Sequence, residues 1–177
     1  MIFKELELKG AYVIELEPIV DHRGLFARTW CEKEFSAQGL TTNWVQCNIS
    51  VNRKKGTIRG MHYQAPPYEE VKLVHCVKGA IYDVIIDLRP ESATFKKWTS
   101  VLLGGENRNS LYIPEGFAHG FQTLEDETEV FYQMGQYFHP DSVQGVRFND
   151  PAFQIEWPDS EHTAISEKDL SYEDFRL

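Results

Sequence analysis

Three residues between Gly56 and Lys72 have types and spacing suited to proton abstraction next to a ketone. The stretch reads Gly56-Thr-Ile-Arg-Gly-Met-His-Tyr-Gln-Ala-Pro-Pro-Tyr-Glu-Glu-Val-Lys72 and puts Arg59, His62 and Lys72 on two strands joined by a Pro-Pro turn. Arginine suits a phosphate, histidine titrates near neutral pH, and lysine offers a cation to an oxygen that gains charge. Histidines in strands are more often packed or surface residues, and a lysine at a strand start is usually solvated. The trio therefore needs support from the rest of the chain.

Pro114-Glu-Gly-Phe-Ala-His119 supplies some of it. A P-x-G-x-x-H turn is the later of two motifs that converge inside a double-stranded β-helix, or cupin. The earlier motif of a metal cupin carries an H-x-H pair with a glutamate. Here that place reads Met61-His62-Tyr63, one histidine short. Two histidines without a well-spaced carboxylate make a poor cage for zinc or iron and a better candidate for metal-free acid–base work. His119 reads equally well as a buttress of its own turn. Tyr132 alternates with Val130 and Met134, which turns it toward the barrel interior. That pattern fits core packing, and it also fits a proton donor facing His62 across a cavity. Arg59 and His62 are three apart and so fall on opposite faces of a regular strand; a bulge at Gly60 would bring both inward.

The elements that must hold these residues are short strands. Strands are expected over residues 11–17, 25–30, 44–51, 58–64, 71–77, 80–88, 98–103, 111–113, 120–124 and 130–137. Turn chemistry stands between them at Asp21-His-Arg-Gly24, Lys78-Gly79, Gly104-Gly105 and Pro114-Glu-Gly116. Many short, evenly spaced strands rich in Val, Ile and aromatic residues indicate an all-β sandwich or barrel. One early helix is expected over 32–37, stopped by Gly39, and a second over 166–175. The second opens on Ser166-Glu-Lys-Asp169, which fits a capping box.

Composition excludes several classes. The 177 residues fit one domain, 1–177, and 42% hydrophobic with 13% aromatic content rules out disorder. A net charge of −9 argues against general nucleic-acid affinity while leaving room for a local cationic pocket. Cys31, Cys47 and Cys76 are widely spaced and give neither a disulfide framework nor a zinc signature. No apolar run reaches membrane-spanning length, and the N-terminus, charged from Lys4, lacks a signal region. The chain reads as cytoplasmic, with no membrane or nucleic-acid partner.

Longer motifs carry a resemblance. Asp21-His-Arg-Gly-Leu-Phe26, Gln46-Cys-Asn48, Ile58-Arg-Gly-Met-His-Tyr-Gln64, Lys72-Leu-Val, Asp83 to Arg89, Tyr112 to Phe121, Phe131-Tyr132 and Ser166-Glu-Lys-Asp169 resemble the RmlC-like nucleotide-sugar epimerases, over about residues 18–169. The resemblance implies a cupin-type jelly-roll barrel that needs no metal or other cofactor. It implies a homodimer with strands exchanged between subunits. The implied activity inverts C3, C5 or both in a nucleoside-diphosphate 4-keto-6-deoxyhexose, in rhamnose-type deoxysugar biosynthesis. His62 would be the general base, Asp169 its orienting partner, Lys72 the holder of the ketone oxygen and Tyr132 the acid on the other face. Arg23, Gln46, Asn48, Arg59, His119 and Lys168 would bind the nucleotide diphosphate and sugar, with Phe26 and Phe138 flanking the base. Two positions depart from the family pattern: Arg28 and Val143 stand where glutamates are usual. Arg28, offering donors only, would move base preference from thymidine toward cytidine diphosphate sugars. Two other readings remain: a non-catalytic nucleotide-sugar-binding cupin, and a metal-dependent cupin enzyme.

Overall fold

The computed structural model describes residues 1–159, 161 and 164–176. In chain order its strands are β1 (Ile2–Glu5), β2 (Tyr12–Glu15), β3 (Ile19–Asp21), β4 (Gly24–Phe26), β5 (Gln46–Asn52), β6 (Ile58–Gln64) and β7 (Lys72–Lys78). There follow β8 (Ala80–Asp87), β9 (Trp98–Gly104), β10 (Ser110–Ile113), β11 (Phe117–Thr123), β12 (Thr128–Met134) and β13 (Val143–Gly145), with helices α1 (Glu32–Ala37) and α2 (Glu167–Leu170). Six strands form one sheet in the order β1-β2-β10-β7-β12-β5, and five form a second in the order β13-β6-β11-β8-β9. Neighbours within each sheet run antiparallel, and few pairs are adjacent in sequence. This is the expected jelly-roll barrel with two short peripheral helices.

The two sheets face each other across a core that takes residues from both. Val74, Leu111 and Val130 come from the six-stranded sheet, and Ile81, Ile85, Phe117 and Phe121 from the other. β8 is apolar on both faces because it is covered twice. Ile81 and Ile85 point into the barrel, while Val84 and Ile86 lie beneath the C-terminal segment with Val146, Phe153 and Trp157. That outer packing carries the chain back along β6 and so delivers α2 to the barrel mouth. A third cluster, Ile14, Phe35, Leu73 and Tyr112, seats α1 against the six-stranded sheet.

Several elements differ from expectation for local reasons. β1 was not anticipated, because Lys4 and Glu5 interrupt its apolar signal; it forms by pairing along β2 as an edge strand. The expected strand at 25–30 ends at Phe26. β11 starts at Phe117 rather than 120, so His119 sits within a strand and not on the preceding turn. The expected helix 166–175 stops at Leu170. Beyond it Phe175 packs on Phe153 with ring centroids 5.2 Å apart and donates its N–H to Asp150 Oδ2 at 2.6 Å, contacts a continuing helix would not reach.

Candidate active site

A cavity of about 600 Å³ opens between the two sheets, continuous with the core at Phe121. His62 on β6 and His119 on β11 are cross-strand partners on one wall. Lys72 on β7 and Tyr132 on β12 occupy the facing wall, where β7 and β12 are neighbours. Asp169 and Lys168 enter from α2.

The difficulty over Arg59 and His62 is resolved by one extra residue. β6 pairs His62 with His119 and Arg59 with Phe121, so three steps on β6 match two on β11. The bulge centres on Gly60, whose φ is +119 and whose missing side chain leaves room for Gly120; a Cβ there would lie 2.5 Å from Gly120 Cα. Both Arg59 and His62 consequently line the cavity. Arg59 is steadied by an Nε hydrogen bond of 2.7 Å to Asn52 Oδ1.

His62 Nε2 lies 2.6 Å from Asp169 Oδ1. Asp169 also accepts from the backbone N–H of Gly60 through Oδ2 at 3.2 Å, while its own N–H donates to Ser166 Oγ at 3.1 Å. The capping role and the histidine-orienting role therefore coexist in one residue, through different atoms. Burial alone would raise the Asp169 carboxyl, but the hydrogen bond and charge of His62, with the Gly60 N–H, hold it below its usual range. A second histidine–carboxylate pair lies close by. His119 Nε2 is 2.5 Å from Asp83 Oδ1, with the carboxylate fully buried. In the sequence Asp83 stands out only as part of a motif. Its inward register with Ile81 and Ile85 on β8 was the available signal.

Lys72 is buried; it donates to the His62 carbonyl at 3.3 Å and pairs with Glu70 at 2.8 Å. Glu70 lines the same cavity and was also missed. Burial pushes the Tyr132 phenol above its ordinary pKa; the Arg59 charge opposes this and the Glu70 charge adds to it. Gln46, Asn48 and Phe138 lie toward the mouth, where Gln46 Nε2 donates to Asn48 Oδ1 and Gln46 Oε1 accepts from the Phe138 N–H. Val143 also lines the wall, through β13. Among the described residues no three His, Cys, Asp or Glu side chains gather in a way that would hold a metal ion.

The whole chain matches the family model described as dTDP-4-dehydrorhamnose 3,5-epimerase, over residues 5–176. The chain belongs to this family. It is 41% identical over 176 residues to the dTDP-4-dehydrorhamnose 3,5-epimerase of Methanothermobacter thermautotrophicus, covering 98% of this chain and 94% of that protein. The crystal structure of the Bacillus anthracis enzyme with TDP and pyrophosphate bound superposes with a TM-score of 0.94 at 38% identity, covering 98% of this chain and 100% of that one. The Legionella pneumophila enzyme in complex with dTDP-4-keto-L-rhamnose gives 0.91 at 35% identity, over 97% and 90% of the two chains.

Three expected epimerase site residues do not reach the cavity within their own chain. Arg23 is 79% exposed and bonds Asp21 beside it in the β3–β4 turn. Phe26 is 72% exposed at the end of that hairpin. Arg28 is 63% exposed and donates from one guanidinium nitrogen to Glu34 Oε1 at 2.8 Å. Arg28, like Arg23 and Phe26, does not line this cavity within its own chain.

Proposed function

We propose that residues 1–177 act as a single-domain dTDP-4-dehydrorhamnose 3,5-epimerase, inverting C3 and C5 of a dTDP-linked 4-keto-6-deoxyhexose in the cytoplasm. The observation that carries this reading is the His62–Asp169 pair facing Lys72 and Tyr132 across one cavity in an epimerase-family barrel. An ionised carboxylate only accepts, so Asp169 fixes the proton of His62 on Nε2 and leaves the Nδ1 lone pair to act as base. His62 Nδ1 takes the proton from the carbon next to the C4 ketone, and the electron pair moves onto the ketone oxygen. The Lys72 ammonium stabilises that oxyanion. Tyr132, on the facing wall, returns a proton to the opposite face of the planar carbon, and the ketone re-forms. Before the cycle repeats at the second flanking carbon, His62 gives its proton to solvent, Tyr132 takes one back, and the sugar ring is repositioned.

Arg59, His119 and Lys168 supply the cationic and donor lining for the diphosphate and sugar, and Phe138 flanks the base. Arg23 and Phe26 fit a second subunit. The β3–β4 hairpin exposes Ile19, Val20, Leu25 and Phe26 at 47–72%, and the outer face of β5 and β7 exposes Ile49, Val51 and Val77 at 48–59%. Apolar surface of that extent is suited to a homodimer whose exchanged hairpin completes the neighbour's site.

Incubating the protein with a dTDP-linked 4-keto-6-deoxy-D-glucose in D2O tests the activity. The expected product carries deuterium and inverted configuration at both C3 and C5. Deuterium at one carbon alone would make the enzyme a single-centre epimerase, and its absence at both would leave a binding protein.

A further inference from the structure

The cation at the proposed oxyanion position is not alone. Glu70 Oε1 lies 2.8 Å from Lys72 Nζ, and the two side chains are 9% and 8% exposed. Lys72 also donates to the His62 carbonyl at 3.3 Å. An ammonium carries three N–H donors, so two are held by the protein and one remains for a ligand oxygen. All three residues line the cavity: His62 on β6, Lys72 at the start of β7 and Glu70 on the segment just before it.

A carboxylate beside an oxyanion holder works against the charge that develops there, so its benefit must lie elsewhere. A free lysine stem has many rotamers and wanders unless something fixes it. Fixing donors before the reaction is what gives oxyanion stabilisation its strength. Glu70 and the His62 carbonyl grip the ammonium from two sides and leave its third donor direction constrained. The same carboxylate helps keep the Tyr132 phenol protonated.

We propose that Glu70 is a positioning residue, which clamps the Lys72 ammonium against the His62 carbonyl and aims its remaining N–H at the carbonyl oxygen of the sugar. This rests on the epimerase reading above. The clamp works through hydrogen-bond acceptance, not net charge. Glu70→Gln retains an accepting oxygen, whereas Glu70→Ala retains none.

The test follows turnover of the dTDP-linked 4-keto-6-deoxy-D-glucose by full-length wild type and both variants, with dTDP affinity by calorimetry and thermal midpoints alongside. Glu70→Ala is expected to lower kcat by about 10- to 100-fold, with KM and dTDP affinity within about threefold of wild type. Glu70→Gln is expected to recover kcat to within about threefold. Wild-type kcat in Glu70→Ala would overturn the proposal. So would an equal loss in both variants, or a loss that follows a lowered melting point and returns on cooling. A wild type that neither exchanges nor inverts would overturn the epimerase reading and this proposal with it. An active wild type beside an unaffected Glu70→Ala overturns the clamp alone.

Discussion

His62 is one of six histidines, and what sets it apart is the atom its ring faces. With Nε2 held by a carboxylate kept ionised, the free lone pair sits on one defined nitrogen. Asp169→Asn replaces an acceptor-only group with one that can donate, which permits the wrong tautomer. Turnover is expected to fall by about 10²–10⁴-fold. The Asp169 N–H to Ser166 cap is untouched, so the melting temperature should barely move. Wild-type turnover in a folded Asp169→Asn protein would remove the residue as the partner that orients His62. In the proposed mechanism Tyr132 acts at a different step. Tyr132→Phe is expected to retain deuterium exchange, since His62 can return a proton to the face it left, while inversion slows by a much larger factor. Equal losses in both would remove Tyr132 as a separate acid. His62, Lys72 and Tyr132 stood out by residue type and spacing, whereas Asp169 read as a helix cap and entered the site only through the family resemblance. Glu70 and Asp83 did not stand out: the inward face of Asp83 shows only once the register of β8 is known, and Glu70 sits in the loop before β7, where no periodicity marks it.

At the scale of elements, the site depends on the irregularity in β6. Gly60→Ala sets a Cβ against Gly120 in a backbone conformation that L residues rarely adopt. The expected cost is roughly 1–3 kcal/mol in stability, and activity should fall further than stability because Arg59 and His62 share the bulge. Unchanged kinetics in a folded Gly60→Ala would show that the bulge does not place them. Elsewhere Asp87, at the end of β8, gathers hydrogen bonds from Arg89, Ser92 and Thr94 and ties down the following loop. Burial opposes its charge, but these bonds lower its pKa from 3.8 to about 2. Because the folded value is the lower one, the stabilisation is complete above about pH 4 and is lost as pH falls toward 2. It amounts to about 2 kcal/mol. Asp87→Asn should therefore lower stability near pH 7 and flatten the acid limb of a denaturation curve; an unaltered limb would contradict this. The α1 and β6 boundaries could be read from sequence because Gly39, the Pro-Pro turn and apolar spacing all agree. β1, the start of β11 and the end of α2 could not: β1 is held by pairing along β2 against a weak apolar signal, and the other two by partners distant in sequence.

For the whole molecule, the barrel was legible from the rhythm of short strands, whereas which strands pair across the two sheets was not. The three site residues that lie outside the cavity follow from that gap: sequence likeness assigns a residue to a site without saying whose site. If Arg23 and Phe26 serve a second subunit, two inactive variants should complement. Mixed dimers of His62→Asn with Arg23→Ala would contain one fully wild-type site, and activity would reappear on subunit exchange. No recovery in a verified mixed dimer would place Arg23 in its own chain's site or in none.

The central claim is that one imidazole, held by Asp169 inside this barrel, removes the protons flanking the ketone. Deuterium incorporation at C3 and C5 of a dTDP-linked 4-keto-6-deoxy-D-glucose, compared between wild type and His62→Asn in D2O, tests it directly. Incorporation at both carbons by the wild type and none above background by the variant is expected, with dTDP affinity within about threefold of wild type. Wild-type exchange by a folded His62→Asn protein would contradict it.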